Sequence, residues 1–234
     1  LPDMETTKKI MFAQQEAGID VMELGIPFSD PVADGPVIQA ASYEAIQKGA
    51  TLTKIFTLMK EVRKEGLTTP VVFMMYYNIV YHYGLEEFVE MCADCGVDGL
   101  IIPDLPYEEQ KEINAVLAEN EAAPILIQLV SPVSKQRIPM IVNNARGFVY
   151  CVSQMGVTGN GANFHKQIRE YLLEVKKNSP VPVMMGFGIR TAGDVEPLED
   201  IIDGAIVGSH FITLMKAVSY THLRAHETEA DFVC

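Results

Sequence analysis

Apolar residues gather in seven short runs along the chain: Asp20 to Gly25, Pro70 to Met75, Asp98 to Pro103, Pro124 to Val130, Gly147 to Val152, Pro182 to Phe187 and Asp203 to Gly208. Within them the apolar residues are continuous rather than alternating, as in VVFMM, GLII and ILIQLV, the pattern of strands buried on both faces. The segments between the runs read differently. GLEEFVEMCADCG, PYEEQKEINAVLAEN, NFHKQIREYLLEVKK and TAGDVEPLEDII space their apolar residues by three and four and carry acids near their starts, the end of a helix that favours negative charge. LPDMETTKK leads into a further amphipathic helix with no apolar run before it. Alternation of strand and helix predicts a parallel sheet with helices packed outside it.

The same alternation would suit an open doubly wound sheet, but the GxGxxG that usually follows the first strand of that architecture is absent from every run. Seven strands and an unpartnered leading helix are therefore read as an α/β fold, a TIM (βα)8 barrel lacking its first strand and most of its last helix. That last helix starts near Ser209 and is expected to end near Ala217, because VSYTHLRAHET, Val218 to Thr228, breaks its apolar periodicity and carries two unpartnered histidines. No linker or low-complexity stretch divides the chain. Residues 1–217 are expected to form one catalytic barrel domain, with 218–234 set apart as a non-native tail.

Composition narrows the functional classes. At 234 residues a domain buries roughly 70% of the surface its unfolded chain exposes, so no disulfide or metal staple is required. A net charge of −13 argues against nucleic acid and anionic membranes as partners, since both need a surplus of Lys and Arg. The longest apolar runs fall far short of the roughly 20 residues that span a bilayer. With four cysteines, at 92, 95, 151 and 234, and no secretory signal pattern, a reducing cytoplasm is the expected setting. Cys92 and Cys95 have CxxC spacing but lie mid-helix on an apolar face without a second pair, so they read as core thiols and no metal site is expected.

Three segments could carry chemistry. ELGIPFSDPVADGP, residues 23–36, puts Glu23 at the end of an otherwise apolar strand, and a buried unpaired carboxylate is costly enough to suggest function. Three prolines and two aspartates follow Glu23 in a stiff loop that could hold Asp30 or Asp34 over the strand ends. Gly186-Phe187-Gly188 and Gly208-Ser209 follow the last two strands, where barrels bind a substrate phosphate on backbone N–H groups and a helix N-terminus. GVTGNGAN, residues 156–163, reads as a mobile lid and does not match the GxxxxGK[ST] of a nucleotide loop. Tyr76, Tyr77, Tyr81 and Tyr83 read mostly as packing, though one could line an apolar substrate slot.

In order and spacing, ELGIPFSDPVADGP, the loop GVTG, the turn GFGI and the strand end GAIVGS are similar to tryptophan synthase alpha subunits. The resemblance extends over residues 1 to about 217. It implies a cytoplasmic lyase that cleaves indole-3-glycerol phosphate by a retro-aldol step into indole and glyceraldehyde 3-phosphate. The implied assembly is an α2β2 complex with a beta subunit that holds the pyridoxal phosphate, and no cofactor is implied in this chain. Glu23 is implied as the acid/base catalyst and Asp34 as the carboxylate facing the indole nitrogen. Tyr150 would lie behind Glu23, and Thr158 and Gly159 in the closing loop. Gly159, Phe187, Gly188, Gly208 and Ser209 would surround the phosphate, and Tyr76 and Ile101 would line the indole slot. The loop Pro27 to Pro36 and the turn near Asp104 would face the beta subunit. One departure is the sequence NGANFH after Gly159, where many relatives carry an arginine. Two other readings are weighed against this one. Another phosphate-sugar barrel enzyme, such as a phosphoribosylanthranilate isomerase, leaves the Pro/Asp-rich loop after Glu23 unexplained, and a non-catalytic subunit that only activates a beta partner would not need Glu23 and Asp34.

Overall fold

The computed structural model describes residues 3–134, 136–152, 162–186 and 189–224, with 162–166 and 218–224 as backbone alone. In chain order the elements are α1 (Met4–Glu16), β1 (Met22–Gly25), α2 (Pro36–Gln47), α3 (Leu52–Lys64), β2 (Val71–Met74), α4 (Tyr77–Tyr83) and α5 (Leu85–Asp94). Then come β3 (Gly99–Ile101), α6 (Lys111–Ala118), β4 (Ile125–Leu126), β5 (Gln128–Val130), α7 (Ile138–Val142), β6 (Val149–Val152), α8 (Ala162–Asn178), β7 (Val183–Gly186), β8 (Gly204–Ile206) and α9 (Ser209–Arg224). Every apolar run holds a strand. The fourth holds two, β4 and β5, flanking Ile127, whose N–H donates to Leu100 O at 2.9 Å. All pairings are parallel, in the orders β1-β2-β3-β4 and β5-β6-β7-β8. Because β4 and β5 belong to one run, the two sheets form a continuous wall. This is the expected βα-barrel fold, with β1 and β8 its outermost strands among the described residues. α2 and α9 pack on each other, joined by Lys216 and Glu44 at 3.4 Å.

Two segments depart from the expected helices. TAGDVEPLEDII forms two 3-10 turns, Ala192–Asp194 and Glu196–Leu198, instead of a helix. Pro197 has no N–H to donate and its ring crowds the preceding turn, while Asp194 closes a capping box on Thr191 that sets a new start. α9 continues past residue 217 to Arg224, and residues 225–234 lie outside the described residues.

The register of the strands decides which side chains face inward. Glu23 pairs with Val72, Val72 with Gly99 and Gly99 with Ile125. Val72, Ile101, Ile127, Phe148 and Tyr150 form one buried cluster, joined by Met74, Leu129, Met184 and Ile206; this is the lumen. The alternate residues, such as Val71, Phe73 and Leu100 in one half and Val149, Cys151 and Met185 in the other, pack outward against the helices in two larger cores. Cys92 and Cys95 are buried in the first of these cores as free thiols.

Glycines in the strands make room for large lumen neighbours. A Cβ on Gly99 would lie 2.8 Å from Val72 Cγ1, one on Gly204 2.6 Å from Met184 Sδ, and one on Gly186 inside the Tyr150 ring. At the N-terminal ends of the strands two carboxylates fasten neighbouring staves. Asp98 accepts from Val71 N at 2.7 Å and from Arg63 at 2.6 Å. Asp203 accepts from Val183 N at 2.7 Å and pairs with Lys176. These contacts brace the end of the barrel opposite the site.

Candidate active site

Glu23 lies on β1 at the inward register position, so its carboxyl points into the lumen beside Val72. Protein surrounds the carboxyl on its lumen side, yet the residue is exposed to solvent on β1, an outermost strand among the described residues. Withdrawal from bulk water, and second the negative charge of Asp34, push the carboxyl up to about 7. A second carboxylate is therefore close enough to be felt.

Asp34 stands immediately before the Gly35 that caps α2. Its carboxyl is raised by burial and pulled the other way by one strong donor, Tyr76. The Tyr76 hydroxyl donates to Asp34 Oδ2 at 3.0 Å and accepts from Ala33 N at 2.9 Å, so one phenol grips both the side chain and the backbone of the loop. Tyr76 is itself immobilised. It is 5% exposed, its ring stacks on Phe28 at 5.1 Å, and Phe28 is pinned at both N and O by Ser42 Oγ, at 2.7 and 2.9 Å. Burial, opposed by the Ala33 donor and reinforced by the charge of Asp34, pushes the Tyr76 phenol up to about 12. The hydroxyl therefore keeps its proton and remains a donor.

Tyr150, on β6, faces the same space from across the lumen. It is 6% exposed and packs in the lumen cluster with Ile101. Its phenol is driven well above the usual tyrosine range by burial first, then by Glu23 and Asp34, so both carboxylates act on it. The fold thus brings Glu23, Asp34, Tyr76, Ile101 and Tyr150 to one region of the barrel. Gly208 and Ser209 lie at the end of β8 and the start of α9, both exposed. A Cβ at Gly208 would meet nothing within 4 Å, so packing does not require glycine there, and the backbone is open to a ligand. Thr158, Gly159, Phe187 and Gly188 lie outside the described residues.

Sequence reading missed several participants. Phe28, inside the loop motif but given no role there, and Ser42, outside any motif, build the platform for Tyr76. Gly186, read as part of a phosphate turn, lies in β7 and gives space to the Tyr150 ring. Among the described residues no group of three or more His, Cys, Asp or Glu could hold a metal ion, and no helix is long and apolar enough to cross a membrane.

The arrangement provides two facing carboxyls without a basic partner among the described residues, one of them poised near neutrality, in an apolar lumen beside an open helix N-terminus. Such a site can move protons on an apolar substrate that carries an anionic group. The family model described as tryptophan synthase alpha chain matches residues 1–232. The chain is 73% identical over 232 residues to the tryptophan synthase alpha chain of Lachnospira eligens, covering 99% of this chain and 88% of that one. It superposes on tryptophan synthase subunit alpha from Campylobacter jejuni with a TM-score of 0.82 at 31% identity, over 92% of this chain and 85% of that one. A chain from the tryptophan synthase a2b2 complex of Pyrococcus furiosus matches with a TM-score of 0.80 at 32% identity, over 92% and 86%.

Proposed function

Because this chain belongs to the tryptophan synthase alpha chain family, we propose that Glu23 and Asp34 carry out the proton work of its reaction. That reaction is the cleavage of indole-3-glycerol phosphate to indole and glyceraldehyde 3-phosphate, in tryptophan biosynthesis, and its partner is the beta subunit of the a2b2 complex. The reading rests above all on the Glu23 carboxyl, which points into the lumen beside Asp34 with its proton affinity raised to about 7.

A carboxyl with that affinity can give a proton and take one back near neutral pH. Glu23 in its acid form adds a proton to C3 of the indole ring, and the ring nitrogen takes up the positive charge. The bond from C3 to the hydroxyl-bearing glycerol carbon then breaks, its electron pair returning to the ring. The hydroxyl proton passes to the Glu23 carboxylate as that carbon becomes the aldehyde. The indole ring serves as the electron sink. Asp34 faces N1 and stabilises the charge that develops there, and the Tyr76 donor favours its ionised form. Tyr150 backs Glu23, and Tyr76 and Ile101 bound the indole slot.

The phosphate is held by Gly208 and Ser209 at the start of α9 together with Phe187 and Gly188, and Thr158 and Gly159 close over it. At Gly208 and Ser209 the contact uses backbone N–H groups at a helix N-terminus, which suits a chain with few basic residues. Pyridoxal phosphate stays with the beta subunit, and this chain works without a cofactor in the cytoplasm. The loop Pro27 to Pro36, where Val32 is 85% exposed, and the turn at Asp104 face that partner. The catalytic unit is residues 1–217.

Release of indole from indole-3-glycerol phosphate, measured with the chain mixed with a beta subunit, tests the assignment. Glu23→Gln and Asp34→Asn are each expected to lose about 100-fold or more in kcat, the range of a positioned proton-transfer group. Parent-like turnover by either variant would remove that residue from the mechanism.

A further inference from the structure

We propose that Asp104 is a positioning residue for Asp34, acting through the start of α4 and the Tyr76 clamp. The inference rests on the reading of Asp34 as the carboxylate that faces the indole nitrogen.

The backbone around Tyr76 is held from both sides by one neighbouring segment. On its N-terminal side, Met75 N donates to Ile101 O at 3.0 Å, at the end of β3. On its C-terminal side, Tyr77 N donates to Asp104 Oδ1 at 2.9 Å, in the turn that follows β3. α4 lacks a side-chain cap of its own, because its N-cap residue is Tyr76, in extended conformation with φ −89 and ψ 143. A tyrosine cannot reach back to its own helix amides as Ser or Asp can. Asp104 supplies the missing acceptor from another strand and thereby fixes the peptide plane that follows Tyr76.

The consequence is felt at the phenol. Tyr76 makes both of its hydroxyl bonds to the loop that carries Asp34, one to the Asp34 carboxyl and one to the Ala33 amide. Rotation of the 76–77 peptide would swing the ring off Phe28 and separate the hydroxyl from both partners. Asp104 is exposed, yet the turn that carries it is braced from beneath. Leu105 N donates to Ile102 O at 3.2 Å, Gln110 Nε2 donates to Leu105 O at 3.4 Å, and Gln128 Nε2 on β5 donates to Gln110 Oε1 at 3.0 Å. Both glutamines are buried. An exposed turn with a buried polar brace is built to hold its tip in place.

The groups that face Asp34 are Glu23 from β1, Tyr76 from the segment before α4, and Tyr150 from β6. Asp104 reaches this set through Tyr76 and also raises the phenol by its charge. Position and charge act on Asp34 in opposite directions. Loss of a nearby negative charge lowers the affinity of Asp34 for its proton. Loss of the Tyr76 donor raises it.

The test is a carbon-13 titration of the Asp34 side-chain carboxyl in the full chain, for the parent, Tyr76→Phe, Asp104→Ala and Asp104→Asn. The midpoint is expected to rise in Tyr76→Phe and in Asp104→Ala, whereas in Asp104→Asn, whose amide oxygen still accepts from Tyr77 N, it stays at or below the parent value. In the complex with the beta subunit, Asp104→Ala should lose about three- to tenfold in kcat, the scale of one hydrogen bond. KM should be nearly unchanged, and the loss should vanish in a Tyr76→Phe background. A midpoint that falls or stays fixed in Asp104→Ala, or a kcat loss that multiplies fully with Tyr76→Phe, overturns the proposal. Asp104→Asn keeps the test open should Asp104→Ala fail to fold, because a raised midpoint in the asparagine variant also overturns it. Failure of the underlying reading looks different: Asp34→Asn would then turn over like the parent while the midpoints moved as described.

Discussion

Replacing Glu23 by glutamine should make the fold more stable at alkaline pH while destroying activity. The ordinary glutamate value of 4.5 is raised to about 7 in the native chain. Between these values the native chain retains a proton that the unfolded chain has released. Stability from this group is therefore greatest below about pH 4.5 and is lost as pH rises through 7. Were the site shut off from water, the ionised form would cost about 3 kcal/mol. Glu23 keeps contact with solvent, and screening reduces this to about 1 to 2 kcal/mol. Glutamine carries no charge at any pH and avoids the cost. Urea unfolding of both chains near pH 5 and near pH 8.5 should show the variant gaining midpoint only on the alkaline side. Asp34→Asn removes the smaller of the two causes, so it should narrow the gap without closing it. A difference between the two chains that does not change with pH would refute the assignment of Glu23 to a charge-averse site.

Other expectations concern packing and pairing. Gly186→Ala should cost about 1 to 3 kcal/mol by thermal or urea unfolding, because its Cβ would enter the Tyr150 ring, and should lower kcat by displacing Tyr150; a neutral result would mean that Tyr150 is not confined there. Asp98→Ala should destabilise by about 1 to 3 kcal/mol, since Val71 N loses its acceptor and Arg63 loses its carboxylate partner while keeping the Gly96, Leu67 and Thr69 carbonyls, with kcat unaffected at temperatures where the chain stays folded. Burial pushes the Cys95 thiol up to about 11 and the Cys92 and Cys151 thiols higher still. In a Cys234→Ser background a disulfide reagent at pH 8 should therefore react with none of them until urea is added, and rapid stoichiometric labelling of the native chain would contradict this.

The strands were legible because burial on both faces leaves continuous apolar runs, but the same continuity hides which residue faces which side. In VVFM, nothing in the sequence says that Val72 points into the lumen and Phe73 away from it; the parallel register says so. Glu23 escaped this ambiguity as a lone carboxylate in such a run. The segment 191–202 was misread as a helix because apolar spacing outweighed one proline; Pro197, near the start of the second 3-10 turn, keeps the first from running on into it. The Tyr76 clamp was not legible at all. It joins Asp34 to a phenol 42 positions away, which rests on a ring, Phe28, fixed by Ser42. Pairings of that range arise from the way the barrel brings strand ends together, and a single sequence carries no local trace of them.

The carboxylates divide by the end of the strands at which they stand. Asp98 and Asp203, at the N-terminal ends, each hold a strand amide and a basic side chain from the preceding helix, and Asp203 is held below the usual carboxylate range by Lys176 and Val183 N. Glu23 and Asp34, at the other end, are both raised, and among the described residues neither meets a Lys or Arg. An arginine beside either would relieve the repulsion and stabilise the fold. On the proposed mechanism it would also hold Glu23 ionised at neutral pH, leaving no proton for C3 of the indole, and would oppose the positive charge assigned to Asp34 to stabilise. On the proposed roles of Glu23 and Asp34, the uncompensated pair is thus a condition of the chemistry, and the contacts at the opposite end of the barrel contribute stability against its cost.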